Sequence, residues 1–289
     1  MKQLLILSGK GGTGKTTVAS AFIKLSEAKA YADCDVDAPN LHLVLKHGSD
    51  PKRTDFMGMP KAEIDQAVCI KCGLCKFNCR FDAVVLKDDT YQVDSYACEG
   101  CGVCEAFCPA SAITLKANVA GELILYQGDA VFSTAQLKMG SGTSGMLVTE
   151  VKKQMKFASE NAEIAIIDGS PGIGCPVIAS LSGVDMVLIV AEPSISGISD
   201  MERIIKTAQI FHTRIAVCIN KYDTNIENTQ KIIAFCKKMD LPFTGSIPYD
   251  ENALKAINNG QTIVDIYCEA GAGVRQVFNK TMDVFLHQI

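Results

Sequence analysis

The chain has 289 residues, 48% hydrophobic and 21% charged, the balance of an ordinary globular protein that buries about 75% of its unfolded surface without disulfides. A formal charge of −4 lacks the basic surplus of a general nucleic-acid binder, and no apolar run reaches the length of a membrane span. Thirteen cysteines without a signal peptide predict thiols in a reducing cytoplasm, held on metal rather than in disulfides.

Residues 4–7 form a short apolar run that stops at glycines, as a buried parallel strand does. A helix is predicted over 16–24, with Val18, Phe22 and Ile23 facing inward. A second strand over 28–32 ends in Asp33-Cys34-Asp35. Residues 61–116 break the rhythm and are dense in cysteine. Strands are then predicted over 164–167, 186–190, 215–219 and 243–247, with helices over 199–211 and 228–239. They end at Asp168, at Glu192-Pro193, at Asn220-Lys221 and at Pro248. Alternating strands and helices predict an α/β fold with a mostly parallel, doubly wound sheet whose functional residues stand at the strands' carboxyl ends. The expected division is a nucleotide-binding domain over 1–60 and 117–289 and an inserted α+β module over 61–116.

Between the first strand and first helix lies Gly9-Lys10-Gly11-Gly12-Thr13-Gly14-Lys15-Thr16, a G-x-x-x-x-G-K-[ST] loop in the context that motif requires. Its glycines let backbone N–H groups close on phosphate oxygens at a helix N-terminus. Nucleotide contacts are expected from Gly9, Gly11, Gly12, Thr13, Gly14, Lys15, Thr16 and Thr17. Lys15 should meet the β- and γ-phosphates, and Thr16 should ligate Mg²⁺.

Within 61–116 one unit occurs twice at a constant offset. Cys69, Cys72, Cys75 and Cys79 repeat as Cys98, Cys101, Cys104 and Cys108. C-x₂-C-x₂-C-x₃-C is the run of two-cluster bacterial ferredoxins, whose fourth cysteine ligates the other cluster. One [4Fe–4S] cluster is therefore expected on Cys69, Cys72, Cys75 and Cys108, and the second on Cys98, Cys101, Cys104 and Cys79. Zinc is the alternative occupant, although zinc pairs are usually separated by a long spacer. Gly73 and Gly102 permit the loop's tight path. The second run has Cys108-Pro109 where the first has Cys79-Arg80. Cys218 and Cys236 are expected in the core. Cys34 and Cys175 are either small buried residues or thiols that handle a cluster or sense redox state.

The loop with Lys10 resembles the deviant P-loop of the MinD/Mrp/ParA superfamily. Asp33-Cys34-Asp35-Val36-Asp37-Ala38-Pro39-Asn40 looks like its switch I, and Asp168-Gly169-Ser170-Pro171-Gly172 looks like its switch II. With the cysteine insert, the chain is most similar to MinD-superfamily ATPases containing an inserted two-[4Fe–4S] ferredoxin domain. The resemblance implies an ATP-dependent homodimer in which Lys10 reaches the partner's nucleotide. It implies that Asp35 orients the attacking water and that Asp168 holds Mg²⁺ through water, with Asp33 as a supporting carboxylate. Asp37 is either a site carboxylate or a solvated switch residue. Asn220 and Pro248 are implied at adenine, whereas Asn220-Lys221-Tyr222-Asp223 taken alone has the N-K-x-D form of a guanine reader. Residues 137–148 resemble a loop that returns the chain to the main domain. Residues 284–289 lack the cationic amphipathic helix of membrane-binding members, so no membrane role is expected. Three functions remain open: nucleotide-gated electron transfer to a redox partner or client metalloprotein, assembly or carriage of a metal cluster, and a nucleotide-controlled switch with structural or sensing clusters.

Overall fold

In chain order the elements are β1 (Lys2–Leu7), α1 (Lys15–Leu25), β2 (Ala30–Asp33), β3 (Lys52–Met57), β4 (Lys61–Ile64), α2 (Leu74–Asn78), β5 (Val84–Lys87), β6 (Thr90–Val93), α3 (Val103–Ala106), β7 (Ile113–Lys116), β8 (Val119–Gln127), β9 (Val131–Leu137), α4 (Ser144–Ala158), β10 (Ile164–Asp168), α5 (Cys175–Leu181), β11 (Met186–Ala191), α6 (Ile195–Ile210), β12 (Arg214–Asn220), α7 (Ile226–Lys238), β13 (Phe243–Ile247), α8 (Glu251–Asn258) and α9 (Glu269–Leu286). This computed structural model describes residues 1–45, 48 and 50–287; residues 288 and 289 of the C-terminal stretch lie outside it.

The main sheet has nine strands in the order β13-β12-β11-β1-β10-β2-β9-β8-β3. From β13 to β9 every pairing is parallel. Strand β11 reads Met-Val-Leu-Ile-Val-Ala and is buried throughout, as a strand covered on both faces must be. Val18, Phe22 and Ile23 of α1 are buried against Leu4, Ile6 and Ile166, and Val274, Val277 and Phe285 of α9 join the same core. The C-terminal helix α9 is thus a core element. Among the described residues, no helix is long and apolar enough to cross a membrane.

The parallel α/β architecture is the one expected. One local expectation fails. Residues 144–148, read as part of a loop, open helix α4, because Leu147, Val148, Val151 and Met155 give that stretch a buried face at helical spacing.

The chain divides into two compact units: Met1–Arg53, Leu123–Gln136 and Gly145–Ile289 in the first, Thr54–Glu122 and Leu137–Ser144 in the second. The second contains two small antiparallel sheets, β4-β7 and β5-β6, and the short helices α2 and α3. Its internal repeat reaches beyond the cysteines. β4 stands to the first run as β6 stands to the second, and β5 follows the first run as β7 follows the second.

Candidate functional site

The P-loop joins β1 to α1. Gly14 caps α1 with φ 89°, and a Cβ there would strike the Asn220 side-chain amide, so only glycine fits. The end of β12 braces the loop: Asn220 Nδ2 donates to Thr13 O (2.7 Å) and Lys221 Nζ to Gly12 O (2.9 Å). These contacts border a cavity of about 540 Å³ lined by Lys10 through Val18, Asp35, Asn220, Pro248 and Tyr249, among others. Its size suits a small-molecule ligand. Gly9 stands beside Asp200, which a Cβ at Gly9 would strike.

Behind the cavity stands Asp168, fully buried at the carboxyl end of β10. Lys15 Nζ pairs with its Oδ1 at 2.5 Å, and Thr16 Oγ1 donates to its Oδ2 at 2.6 Å. Burial opposes the Lys15 charge, but Asp168, Asp33 and Asp35 outweigh it and hold the ammonium above its ordinary pKa. Asp33, at the end of β2, accepts three backbone N–H bonds of 3.0 Å, from Asp35, Asn40 and Leu41, and so ties the turn after β2 together. Burial and then repulsion from Asp168 push its pKa up to about 7, against the pull of Lys15 and two of those N–H groups. Asp35 is half-buried on the cavity wall, its pKa raised by burial and opposed chiefly by Lys15. Asp37 is exposed.

Cys34 is fully buried, and burial pushes its pKa up to about 12. A raised thiol pKa disfavours the reactive thiolate. Cys175 is exposed, whereas Cys218 and Cys236 lie in the core.

In the second unit the two runs are positioned by matching contacts. Cys69 N–H donates to Asp65 O (3.0 Å) and Cys98 N–H to Asp94 O (2.9 Å). Each aspartate side chain turns the chain, Asp65 through Ala67 N and Asp94 through Tyr96 N, both at 2.9 Å. The link then crosses over: Asp65 N–H donates to Ala112 O beyond the second run, and Asp94 N–H to Ala83 O beyond the first. This exchange brings the end of each run to the start of the other. Cys69, Cys72, Cys75 and Cys108 line one cavity, and Cys79, Cys98, Cys101 and Cys104 line another. Gly73 and Gly102 take φ 79° and 76° at the matching turns. All eight are free thiols. Among the described residues no group of three or more His, Cys, Asp or Glu side chains is arranged around a single metal ion.

The family described as the CobQ/CobB/MinD/ParA nucleotide binding domain matches residues 4–263. The chain belongs to this family. It is a MinD/ParA-type P-loop ATPase. An uncharacterised protein of Methanocaldococcus jannaschii is 32% identical over 285 residues, covering 96% of this chain and 95% of its own. An ATP-binding protein of the same organism is 25% identical, with 93% and 82% covered. MinD of Pyrococcus horikoshii in complex with Mg-ADP superposes with a TM-score of 0.59 at 18% identity, covering 100% of this chain and 99% of that one. Cyanothece McdA in complex with ATP gives 0.59 at 20%, covering 100% and 98%.

In this ATPase two further fastenings were not evident from the sequence. Asp223 Oδ1 accepts from Tyr249 N–H at 2.7 Å. One oxygen of its carboxylate is thus tied to the segment after Pro248, a use of Asp223 other than reading a base. Lys10 Nζ lies 3.4 Å from Glu192 Oε2 and 3.2 Å from Ser194 Oγ, so the segment between β11 and α6 supplies its partner within the same chain. The signal for Glu192 was its place just past a strand's carboxyl end. Asp223 carried no signal that told the two uses of its carboxylate apart.

Proposed function

We propose that this ATPase couples its nucleotide state to electron transfer to a partner metalloprotein, through two [4Fe–4S] clusters in a ferredoxin-like module over 61–116. The observation that carries the reading is the sorting of eight cysteines into two cavities, three from one run and the fourth from the other. Four thiols to a cavity fit the donor set of a [4Fe–4S] cluster, and the crossed fourth ligand is the two-cluster pattern. Cluster thiolates bind four separate irons and surround a body, so they need not meet at one point as the ligands of a single ion do. When bound, the clusters supply one-electron storage. The chain's own residues hold them in place: Cys75 and Cys98 are buried in the unit's small core, and Cys69, Cys79, Cys104 and Cys108 pack against it. Ligands built into a core suit resident clusters better than cargo handed onward, which favours electron transfer over cluster assembly.

At the other unit ATP and Mg²⁺ fit the residues present. Lys15 would leave Asp168 to meet the β- and γ-phosphates, Thr16 would hold Mg²⁺, and Asp168 would hold water on the ion. Asp35, on the cavity wall, would orient the attacking water, and Asn220 and Pro248, which line the same cavity, would meet adenine. Lys10 would exchange Glu192 for a phosphate of the partner's nucleotide in an ATP-dependent homodimer, a charge-assisted contact. The ATP-binding relative and the neighbours holding Mg-ADP and ATP support the choice of ligand. Thiol-rich chemistry supports a cytoplasmic location.

Anaerobic metal and sulfide analysis tests the reading. About eight iron atoms per chain are expected from two cubane clusters. About two zinc atoms per chain, or none of either metal, would overturn it.

A further inference from the structure

The two cysteine cavities match in their thiols and differ in what else faces them. The cavity of Cys69, Cys72, Cys75 and Cys108 is also lined by Tyr91 and Ile70. The cavity of Cys79, Cys98, Cys101 and Cys104 is also lined by Ala62 and Glu99. These are equivalent places in the duplicated unit, because the offset that carries Cys69 onto Cys98 carries Ala62 onto Tyr91 and Ile70 onto Glu99. Tyr91 stands on β6, paired with Leu86 of β5, and its carbonyl accepts from Gln66 Nε2 at 2.8 Å. Its hydroxyl oxygen lies 2.7 Å from where a Cβ on Gly73 would stand, so it comes down on the loop between Cys72 and Cys75. Among the described residues no acceptor meets that hydroxyl. At the matching point of the other cavity Gly102 faces a methyl of Leu115, 3.6 Å from where its Cβ would stand. A second donor follows the same asymmetry. Ala112 N–H donates to Cys108 Sγ at 3.3 Å, whereas among the described residues no such bond joins its counterpart Ala83 to Cys79 Sγ. Charge draws no such line: Lys61 reaches Cys98 O next to Glu99, and Lys71 is paired with Asp89. Exposed charges are also screened by salt, whereas a donor on a thiolate acts at contact.

We infer that Tyr91 sets the order in which the two cysteine sites are reduced, its hydroxyl donating to a sulfur at the site of Cys69, Cys72, Cys75 and Cys108. The inference rests on the cluster reading above. Hydrogen bonds to the sulfurs help set a cluster's potential, and they raise it because reduction adds negative charge that the donors stabilise. The cavity with Tyr91 offers the phenol and Ala112 N–H; the cavity with Ala62 offers neither. One electron therefore leaves the site of Cys79, Cys98, Cys101 and Cys104 and is gained by the other, and no bond or proton moves. The doublet thereby acquires a direction, with the electron stored beside Tyr91.

The test uses the anaerobic holoprotein, with iron counted in every sample. A redox titration gives the two potentials, and the hyperfine-shifted β-proton resonances of the cysteines assign each to its set. In the wild type the set with Cys69 should hold the first electron with a preference of about tenfold, about 59 mV for a one-electron couple. Tyr91→Phe keeps the ring and removes the donor. It should lower the potential of that set, leave the other in place, and narrow the preference without abolishing it, since Ala112 N–H remains. Pulsed EPR of the partly reduced protein in H₂O and D₂O should show one exchangeable proton fewer in Tyr91→Phe, a difference that a ring serving only to pack would not produce. The inference is overturned if the two sites are filled together, if the set with Cys98 is filled first, or if Tyr91→Phe changes neither the potential nor the proton signal. An iron count near zero in the wild type defeats the cluster reading and this inference with it; about eight iron atoms with coincident or reversed potentials defeats this inference alone.

Discussion

In the first unit the reactive residues stand on a core that is complete without them. Lys15, Asp35 and Asn220 lie at strand ends and loop edges above Leu4, Ile6, Phe22, Ile166 and Phe285. In the second unit the reactive residues are much of the core. Ala62, Ile64, Ala83, Val84 and Ile113 are its buried aliphatic residues, completed by Cys75 and Cys98 and flanked by four further run cysteines. A unit this small has little apolar surface to bury, and scaffolds of its size are often completed by a staple or a metal. Binding free energy released at such thiols becomes folding free energy. The P-loop unit should therefore fold whether or not its ligand is present, and the cysteine unit should not.

The largest expected effect is a way to break that comparison. Removing iron with a chelator, or replacing Cys75 and Cys98 by serine, should abolish hydrogen-exchange protection across 61–116. Strands β1, β10, β11 and β12 should keep theirs, and the protein should still bind nucleotide. Uniform loss over both units would mean that they form one cooperative body. Undiminished protection over 61–116 would mean that the small aliphatic core suffices.

The second effect concerns a single buried ion pair in the unit that is otherwise self-sufficient. Lys15 and Asp168 are 6% and 0% exposed. Lys15→Ala removes the proposed phosphate contact and also strands Asp168 as an uncompensated buried carboxylate, with a cost to stability of about 3–5 kcal/mol. Urea denaturation should register that loss, and nucleotide binding should disappear. An additional Asp168→Asn change should restore much of the stability without restoring binding. If Lys15→Ala alone is as stable as the wild type, the pair does not hold the loop.

The same contrast explains what could be read in advance. The strands ending at Asp168 and Asn220 were legible because a buried parallel strand is a continuous apolar run, and β11 with Met-Val-Leu-Ile-Val-Ala is such a run. Strands β8 and β9 were not read: Ala-Gly-Glu-Leu-Ile-Leu-Tyr-Gln mixes burial with exposure and presents neither period cleanly. Gly14 and the grouping of the cysteines into two crossed sets were legible because a phosphate-binding loop and a duplicated four-cysteine run each admit few spacings. The crossover bonds from Asp65 and Asp94 were not, since an aspartate before a turn looks alike whichever distant carbonyl its backbone N–H reaches. Nor was the Asp223 tie to Tyr249, which depends on where β12 and β13 end in space.

The smallest expected effect decides whether the two units, so different in construction, answer to each other. Asn40, whose N–H is held by Asp33, precedes in sequence the start of the second unit at Thr54. A γ-phosphate that reorders the turn held by Asp33 could thus be transmitted along the chain to the cysteine unit. Exposure of a cluster and the hydrogen bonds around it set its potential, so the potential should shift when ATP binds. Linkage makes the effect reciprocal: reduction of the clusters must change ATP affinity by the matching factor, about 5–150-fold for typical couplings of about 1–3 kcal/mol. The measurement uses Asp35→Ala, which on its proposed role binds ATP without hydrolysing it. A redox titration with and without ATP is paired with ATP binding to the oxidised and reduced protein. Equal shifts in both halves of the cycle would make the protein a nucleotide-gated electron carrier. If neither quantity moves, the second unit is an independent passenger, and the nucleotide-controlled switch with structural clusters becomes the better account.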